Sequence, residues 1–186
     1  KLGPAYDKNT TLGPLVSASR RKNVLDWIGR GIREGAELVL DGRGISVPGY
    51  ENGFFIGPTL FDHVTPGMSI GEQEIFGPVL CIKRVRNFEE GLSVMNANPF
   101  ANGSVIYTQN GRYAREFTRR THGGMVGVNV GIPVPVCSFG FTGHKRSFFG
   151  DLHTMGTDGV RFYTEKKTVT STWFEDGHSG TVDTWD

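Results

Sequence analysis

The sequence predicts an α/β fold built on a parallel sheet, and its central third carries the two observations behind this prediction. First, the chain alternates strand, helix, strand, helix and strand over residues 79–85, 87–96, 103–108, 111–121 and 124–129. Strands that run parallel need long crossover connections, and helices of this length provide them. Second, the three strands are continuous apolar runs, which is typical of strands covered on both faces.

The preceding segment predicts an amphipathic helix followed by extended chain. Ser17 is a plausible helix cap, and Val24, Ile28 and Ile32 recur every four residues as one apolar stripe. Gly35 marks the end of this helix, and we interpret its many arginines and lysines as a solvated outer face. A short strand over 36–42 and an extended stretch over 54–64 complete the segment.

Composition and charge exclude several classes of partner. The 186 residues carry 20 basic and 19 acidic side chains, so the net charge of +1 favours neither nucleic acid nor an anionic membrane. No apolar stretch approaches the ~18 residues of a membrane span. The two cysteines, Cys81 and Cys137, lack metal-type spacing, so we expect free thiols in a reducing compartment, the cytoplasm or a mitochondrial matrix.

The candidate ligand site is the acidic and aromatic pair just before the first parallel strand. Glu74 and Phe76 stand two residues apart and precede the Gly77-Pro78 break. In extended backbone such side chains face the same way, and α/β sheets collect ligands at strand ends. A carboxylate suits a ribose diol and a ring suits a flat heterocycle. The simpler alternative is a solvated acid beside an exposed aromatic residue.

The third predicted strand ends at Asn129, and we expect a ligand cleft beyond it. Two prolines stiffen the loop over 131–137, and Phe141 lies in a glycine-rich loop with three further phenylalanines. The five histidines form no metal motif or catalytic triad, so we predict neither a metal site nor a histidine-based triad in this chain. Cys137 lacks the nearby cation or helix start that would activate a thiol.

A last β-branched stretch over 160–171 predicts a strand with no neighbour in sequence to pair with. It is either an edge strand of the same sheet or a strand that joins another domain or subunit. We therefore divide the chain into a main domain over 1–157, a C-terminal strand over 158–174 and a polar tail over 175–186.

Four blocks in register resemble the C-terminal part of an NAD-dependent aldehyde dehydrogenase. They are Gly13-Pro14-Leu15, the segment 74–79, the segment 141–147 and the segment 163–170. The form of the third block, together with Ile132-Pro133-Val134-Pro135 upstream, resembles the methylmalonate-semialdehyde dehydrogenase branch. The resemblance covers nearly the whole chain.

The resemblance implies roles for particular residues. Glu74 would accept hydrogen bonds from the nicotinamide ribose of NAD, and Phe76 would line the nicotinamide pocket. Phe141 and the loop that begins at Asn129 would wall the substrate tunnel. Four residues would lie in an oligomerisation strand that joins a neighbouring subunit's sheet, and they are Thr164, Thr168, Val169 and Thr170.

The resemblance also implies that the reacting groups lie outside this chain. The family's nucleophilic cysteine, oxyanion asparagine and dinucleotide-binding domain belong upstream of Lys1. The complete enzyme, a homodimer or homotetramer, would oxidise a semialdehyde through a cysteine thioester. It would pass hydride to NAD and the acyl group to coenzyme A, with loss of CO2. We expect the 186-residue chain alone to be inactive. The alternatives are an aldehyde dehydrogenase that hydrolyses its thioester and a non-catalytic assembly module.

Overall fold

The computed structural model describes residues 1–173 as a mixed α/β chain with small sheets. The chain divides into two compact units, one over Lys1–Asn98 and one from Pro99 onward. The helices are α1 (Ala18–Arg33), α2 (Phe88–Ala97), α3 (Gly111–Arg120) and α4 (Gly156–Phe162). The strands are β1 (Glu37–Leu40), β2 (Thr59–Asp62), β3 (Val79–Cys81), β4 (Phe100–Ala101), β5 (Gly103–Ile106), β6 (Met125–Val128) and β7 (His144–Lys145).

The first unit packs α1 against a three-stranded sheet. The Ser17 hydroxyl accepts a hydrogen bond from the Arg20 amide at 3.1 Å and caps the helix as expected. Val24 and Ile28 are fully buried with Phe61 of β2 in one apolar core. Ile32, at the end of the predicted stripe, stays 40% exposed. The predicted apolar face is therefore confirmed at Val24 and Ile28 but not at Ile32.

The sheet of the first unit is mixed rather than parallel. Strand β1 runs antiparallel to β2, and β2 runs parallel to β3 with Thr59 opposite Val79. The expectation that 79–85 pairs in one sheet with the two later strands is wrong for the described residues, because β3 bonds to β2 instead. The strand is also shorter than predicted, and Leu80 is 63% exposed, so residues 1–173 leave one face of this strand uncovered.

The second unit contains the parallel pair that the alternating pattern predicts. Strands β5 and β6 run parallel with Gly103 opposite Met125, and α3 connects them. Asn110 caps α3 by accepting from the backbone amides of Arg112 and Tyr113. A separate antiparallel pair, β4 with β7, lies in the same unit. Asn129 follows β6, so the predicted end of this strand is confirmed, and the ligand cleft expected beyond it stays a prediction.

The predicted strand over 160–171 is wrong at its start. Residues 160–162 belong to α4 instead. This helix begins directly after Met155, whose backbone is left-handed with a φ of 72°. Residues 164–173 form no strand within the described chain, and their side chains are exposed. The proposed boundary at 157/158 falls inside α4, and the predicted tail over 175–186 lies outside the described residues. Within residues 1–173, none of the helices is long and apolar enough to cross a membrane.

Candidate functional site

A cavity of about 760 Å³ opens in the first unit between the segment before α1 and the segment before β3. Most of the side chains around it are apolar, and Glu74 brings a carboxylate to it. This volume lies within the range that small-molecule and cofactor sites occupy. The lining residues are Leu12, Gly13, Pro14, Leu15, Ile70, Gln73, Glu74, Ile75, Phe76, Gly77, Pro78, Val79 and Cys81.

Glu74 and Phe76 both line this cavity, but the backbone at Phe76 is not extended. Phe76 has a φ of 50°, in the left-handed region that non-glycine residues rarely adopt. The ring of Phe76 is 68% exposed, whereas Ile75 between the pair is buried in the core of the unit. The structure therefore brings the predicted pair together at one cavity through a turn anchored by Ile75.

The carboxylate of Glu74 is free to meet a ligand. It is exposed and makes no hydrogen bond or ion pair with any residue from Lys1 to Trp173. A free carboxylate can accept two hydrogen bonds from adjacent hydroxyl groups, and the neighbouring ring offers an apolar face. A hydrogen-bond acceptor beside an aromatic face would suit the ribose and the flat ring of a nicotinamide nucleotide.

Two arginines of α1 donate hydrogen bonds to the backbone of other segments, which the sequence pattern does not predict. Arg20 donates to the carbonyl oxygens of Ile75 and Phe76, and the Nε of Arg21 donates to the carbonyl oxygen of Phe55 at 3.1 Å. Interpreting all charges of this helix as solvation is therefore wrong for these two. No spacing rule could have identified them, since their partners lie 34 to 56 residues away.

The two thiols differ in their surroundings. Cys81 lines the cavity half-buried, and its Sγ donates to the Ile70 carbonyl oxygen at 3.4 Å. Burial raises the pKa of the Cys81 thiol, which opposes formation of a nucleophilic thiolate. Cys137 is exposed in the loop that follows β6. Within residues 1–173, no cluster of three metal-ligating side chains is present.

The predicted tunnel residues lie in the second unit. The amide side chain of Asn129 accepts from the Thr108 backbone N–H at 2.8 Å and donates to its carbonyl oxygen at 3.0 Å. These two hydrogen bonds link the ends of β5 and β6. The backbone of Asn129 is left-handed, with a φ of 56°. Phe141 forms an antiparallel bridge with Thr154 and is 36% exposed. Their role as tunnel walls stays a prediction.

The predicted oligomerisation residues are open to solvent. Thr164, Thr168, Val169 and Thr170 are all exposed, and Val169 has 73% of its surface accessible. The Thr164 hydroxyl donates to the Val160 carbonyl oxygen at 2.9 Å, which closes the last turn of α4. Their backbone is unpaired by other strands in the described chain, so a role in assembly stays a prediction.

Comparison with known proteins shows extensive similarity. The model of the aldehyde dehydrogenase family matches residues 1–169. A malonate-semialdehyde dehydrogenase of Pseudomonas aeruginosa is 51% identical over 173 residues, which are 93% of this chain and 35% of the relative. The chain therefore spans about a third of the length of this curated relative.

Solved structures agree with this similarity. A Sinorhizobium meliloti protein described as a methylmalonate-semialdehyde dehydrogenase, crystallised with NAD, superposes with a TM-score of 0.92 at 48% identity. The match covers 94% of this chain and 36% of that one. A methylmalonate-semialdehyde dehydrogenase from Oceanimonas doudoroffii gives a TM-score of 0.91 at 45% identity, covering 95% and 36% of the two chains.

Proposed function

Since the chain belongs to the aldehyde dehydrogenase family, we propose that it forms one wall of the nicotinamide site in an NAD-dependent semialdehyde dehydrogenase. The observation that carries this proposal is the free Glu74 carboxylate beside the Phe76 ring on one apolar cavity. Glu74 accepts hydrogen bonds from the two hydroxyls of the nicotinamide ribose. Phe76 covers the nicotinamide ring and excludes water from it.

The names of the similar proteins support the choice of cofactor and substrate class. The S. meliloti protein was crystallised with NAD, and the similar P. aeruginosa protein is a malonate-semialdehyde dehydrogenase. When bound, NAD supplies the acceptor for the hydride of the aldehyde substrate. The part of this reaction that Glu74 and Phe76 perform is orientation, because a fixed ribose and ring present one face of the cofactor to the substrate.

The reacting thiol comes from a part of the enzyme outside residues 1–173. Cys81 is unsuited to nucleophilic attack because burial raises the pKa of its thiol. The acyl group formed in the reaction passes to coenzyme A with loss of CO2. The exposed residues from Thr164 to Thr170 extend the sheet of a neighbouring copy in a homo-oligomer, as exposed extended segments often do.

Replacing Glu74 with glutamine in the full-length enzyme tests the proposal. Hydrogen bonds to a charged acceptor are worth about 1.5–3 kcal/mol, so we expect the Kd for NAD, measured by calorimetry, to rise about tenfold or more. Glu72→Gln is the matched control, because Glu72 accepts from the Gly67 amide and does not line the cavity. An unchanged Kd for Glu74→Gln would refute the proposal.

The fate of the acyl group separates the two enzymatic alternatives. With malonate semialdehyde and NAD, we expect the full-length enzyme to form acetyl-CoA, CO2 and NADH only when coenzyme A is present. Mass spectrometry of the products identifies the thioester. Formation of malonate without coenzyme A would support hydrolytic deacylation instead. The 186-residue chain alone should release no NADH in the same assay.

A further inference from the structure

We propose that Arg20 is a positioning residue that holds the segment Glu74–Phe76 in the shape that binds the cofactor. The inference rests on the proposed function of that segment. Arg20 lies in the first turn of α1, more than 50 residues away in sequence. Its guanidinium group contacts both the backbone and the ring of the segment.

The backbone contact involves two successive carbonyl groups. Nη2 of Arg20 donates to the Ile75 carbonyl oxygen at 2.6 Å and to the Phe76 carbonyl oxygen at 3.3 Å, while Nε donates to the latter at 3.4 Å. In a strand, successive carbonyls point to opposite edges and could not share one donor group. The left-handed φ of Phe76 breaks this alternation, and the guanidinium group supports the resulting turn.

The same guanidinium group also contacts the aromatic ring. The Cζ atom of Arg20 lies 5.4 Å from the centroid of the Phe76 ring, which is within the range of a cation–π contact. Phe76 is 68% exposed, so little hydrocarbon packing fixes its ring. Arg20 therefore restrains the orientation of a side chain that we assign to the nicotinamide pocket.

Helix α1 fixes the position of Arg20 itself. The Ser17 hydroxyl accepts from its backbone amide, and Val24 lies one turn further along the same face. A Cβ atom built on Gly77 would lie 2.7 Å from the Val24 Cγ2 atom, so helix and segment approach closely here. Arg20 and Val24, on one face of α1, thus set the position of the proposed cofactor-binding turn.

Substitution with lysine distinguishes positioning from simple attraction of an anionic cofactor. Lysine keeps the positive charge but lacks the planar guanidinium group, which can donate to two carbonyl oxygens and contact a ring at the same time. We expect Arg20→Lys in the full-length enzyme to raise the Kd for NAD about fivefold, with little dependence on salt concentration. If Arg20 acted only by attracting the anionic cofactor with its charge, Arg20→Lys would leave the Kd unchanged, and added salt would weaken binding.

Arg30→Gln is the matched control. Arg30 lies on the same helix with its guanidinium carbon 4.4 Å from the centroid of the Trp27 ring, and it does not line the cavity. We expect this variant to bind NAD like the wild type. An equal rise in Kd for both variants would show a general effect of the helix and overturn the inference, as would a Kd within twofold of wild type for Arg20→Lys.

A double variant separates failure of the inference from failure of the proposed function. If Arg20 acts through the segment, Arg20→Lys should change the Kd for NAD much less in the Glu74→Gln background than in the wild type. Independent, additive effects would overturn the positioning role. If Glu74→Gln alone changes nothing, the proposed function fails; if only Arg20→Lys changes nothing, the proposed function stands and the inference fails.

Discussion

Replacing Gly77 with alanine would force a new methyl group against helix α1. The Cβ atom would lie 2.7 Å from Cγ2 and 3.1 Å from Cγ1 of Val24. Carbon atoms pack at about 3.5–4.0 Å, so these contacts are short by roughly 0.4–1.3 Å. Val24 cannot easily move away, since it is fully buried and a β-branched side chain in a helix has one strongly preferred rotamer. We expect the overpacking to destabilise the protein by about 1–3 kcal/mol.

Removing the clashing atoms should partly rescue this variant. Val24→Ala deletes both γ carbons and by itself should destabilise by about 2 kcal/mol, from two buried methyl groups and the space left behind. In the Gly77→Ala background the same change makes room for the new methyl group. We therefore expect the double variant to be more stable than the sum of the single effects by at least about 1 kcal/mol.

Thermal and urea unfolding of the purified protein measure these differences. Gly13→Ala is the control, because Gly13 lines the same cavity but a Cβ atom there would meet nothing within 4 Å. Its stability should stay within about 0.5 kcal/mol of the wild type. Strictly additive effects of Gly77→Ala and Val24→Ala would refute the reasoning, since the two sites would then not be in contact.

Two further predictions concern the sheet of the first unit. Hydrogen bonds from Arg84 lower the pKa of the Asp62 carboxyl from 3.8 to about 2, so the ion pair stabilises the fold above about pH 4 and this contribution is lost as the pH falls through 2. The melting temperature, measured as a function of pH, should fall as the pH drops from 4 to 2. Asp62→Asn should make this fall less steep, and an equally steep fall in the variant would contradict the prediction. Phe61→Ala should destabilise by about 3–5 kcal/mol in urea unfolding because the ring is fully buried, and a change below 1 kcal/mol would show that the site collapses around it.

Helices α1, α2 and α3 were predictable from local signals. Ser17 caps α1, Val24 and Ile28 mark its buried face, and a predicted helix over 111–121 matches Gly111–Arg120 within one residue. Capping and 3.6-residue periodicity act within one or two turns, so a sequence carries them directly. The acidic and aromatic pair of the candidate site was also predicted from a local pattern, two side chains just before one strand, and the structure places both at one cavity.

Strand pairing was less predictable because it depends on contacts between distant segments. Strand β3, which lies within the predicted strand over 79–85, pairs in parallel with β2. For β2 itself, the sequence predicted only an extended stretch over 54–64. The β-branched stretch over 160–171 loses its first residues to α4, where the turn at Met155 redirects the chain. Intrinsic strand preference is weak and depends on which neighbours cover each face.

The candidate site depends on both kinds of signal, since the side chains that we propose to bind a ligand are close in sequence but their geometry depends on distant contacts. A left-handed turn at Phe76 costs on the order of 1–3 kcal/mol for a non-glycine residue and persists only where several contacts fix it. Here the buried Ile75 anchors one side of the turn and Arg20 binds the carbonyls at its centre. Glu74 and Phe76 can therefore stay exposed to a ligand on a backbone that is itself held in place. Because Arg20 is distant in sequence and the left-handed conformation of Phe76 is a backbone angle, the residues around Glu74 indicate the proposed ligand contacts but not the groups that position them.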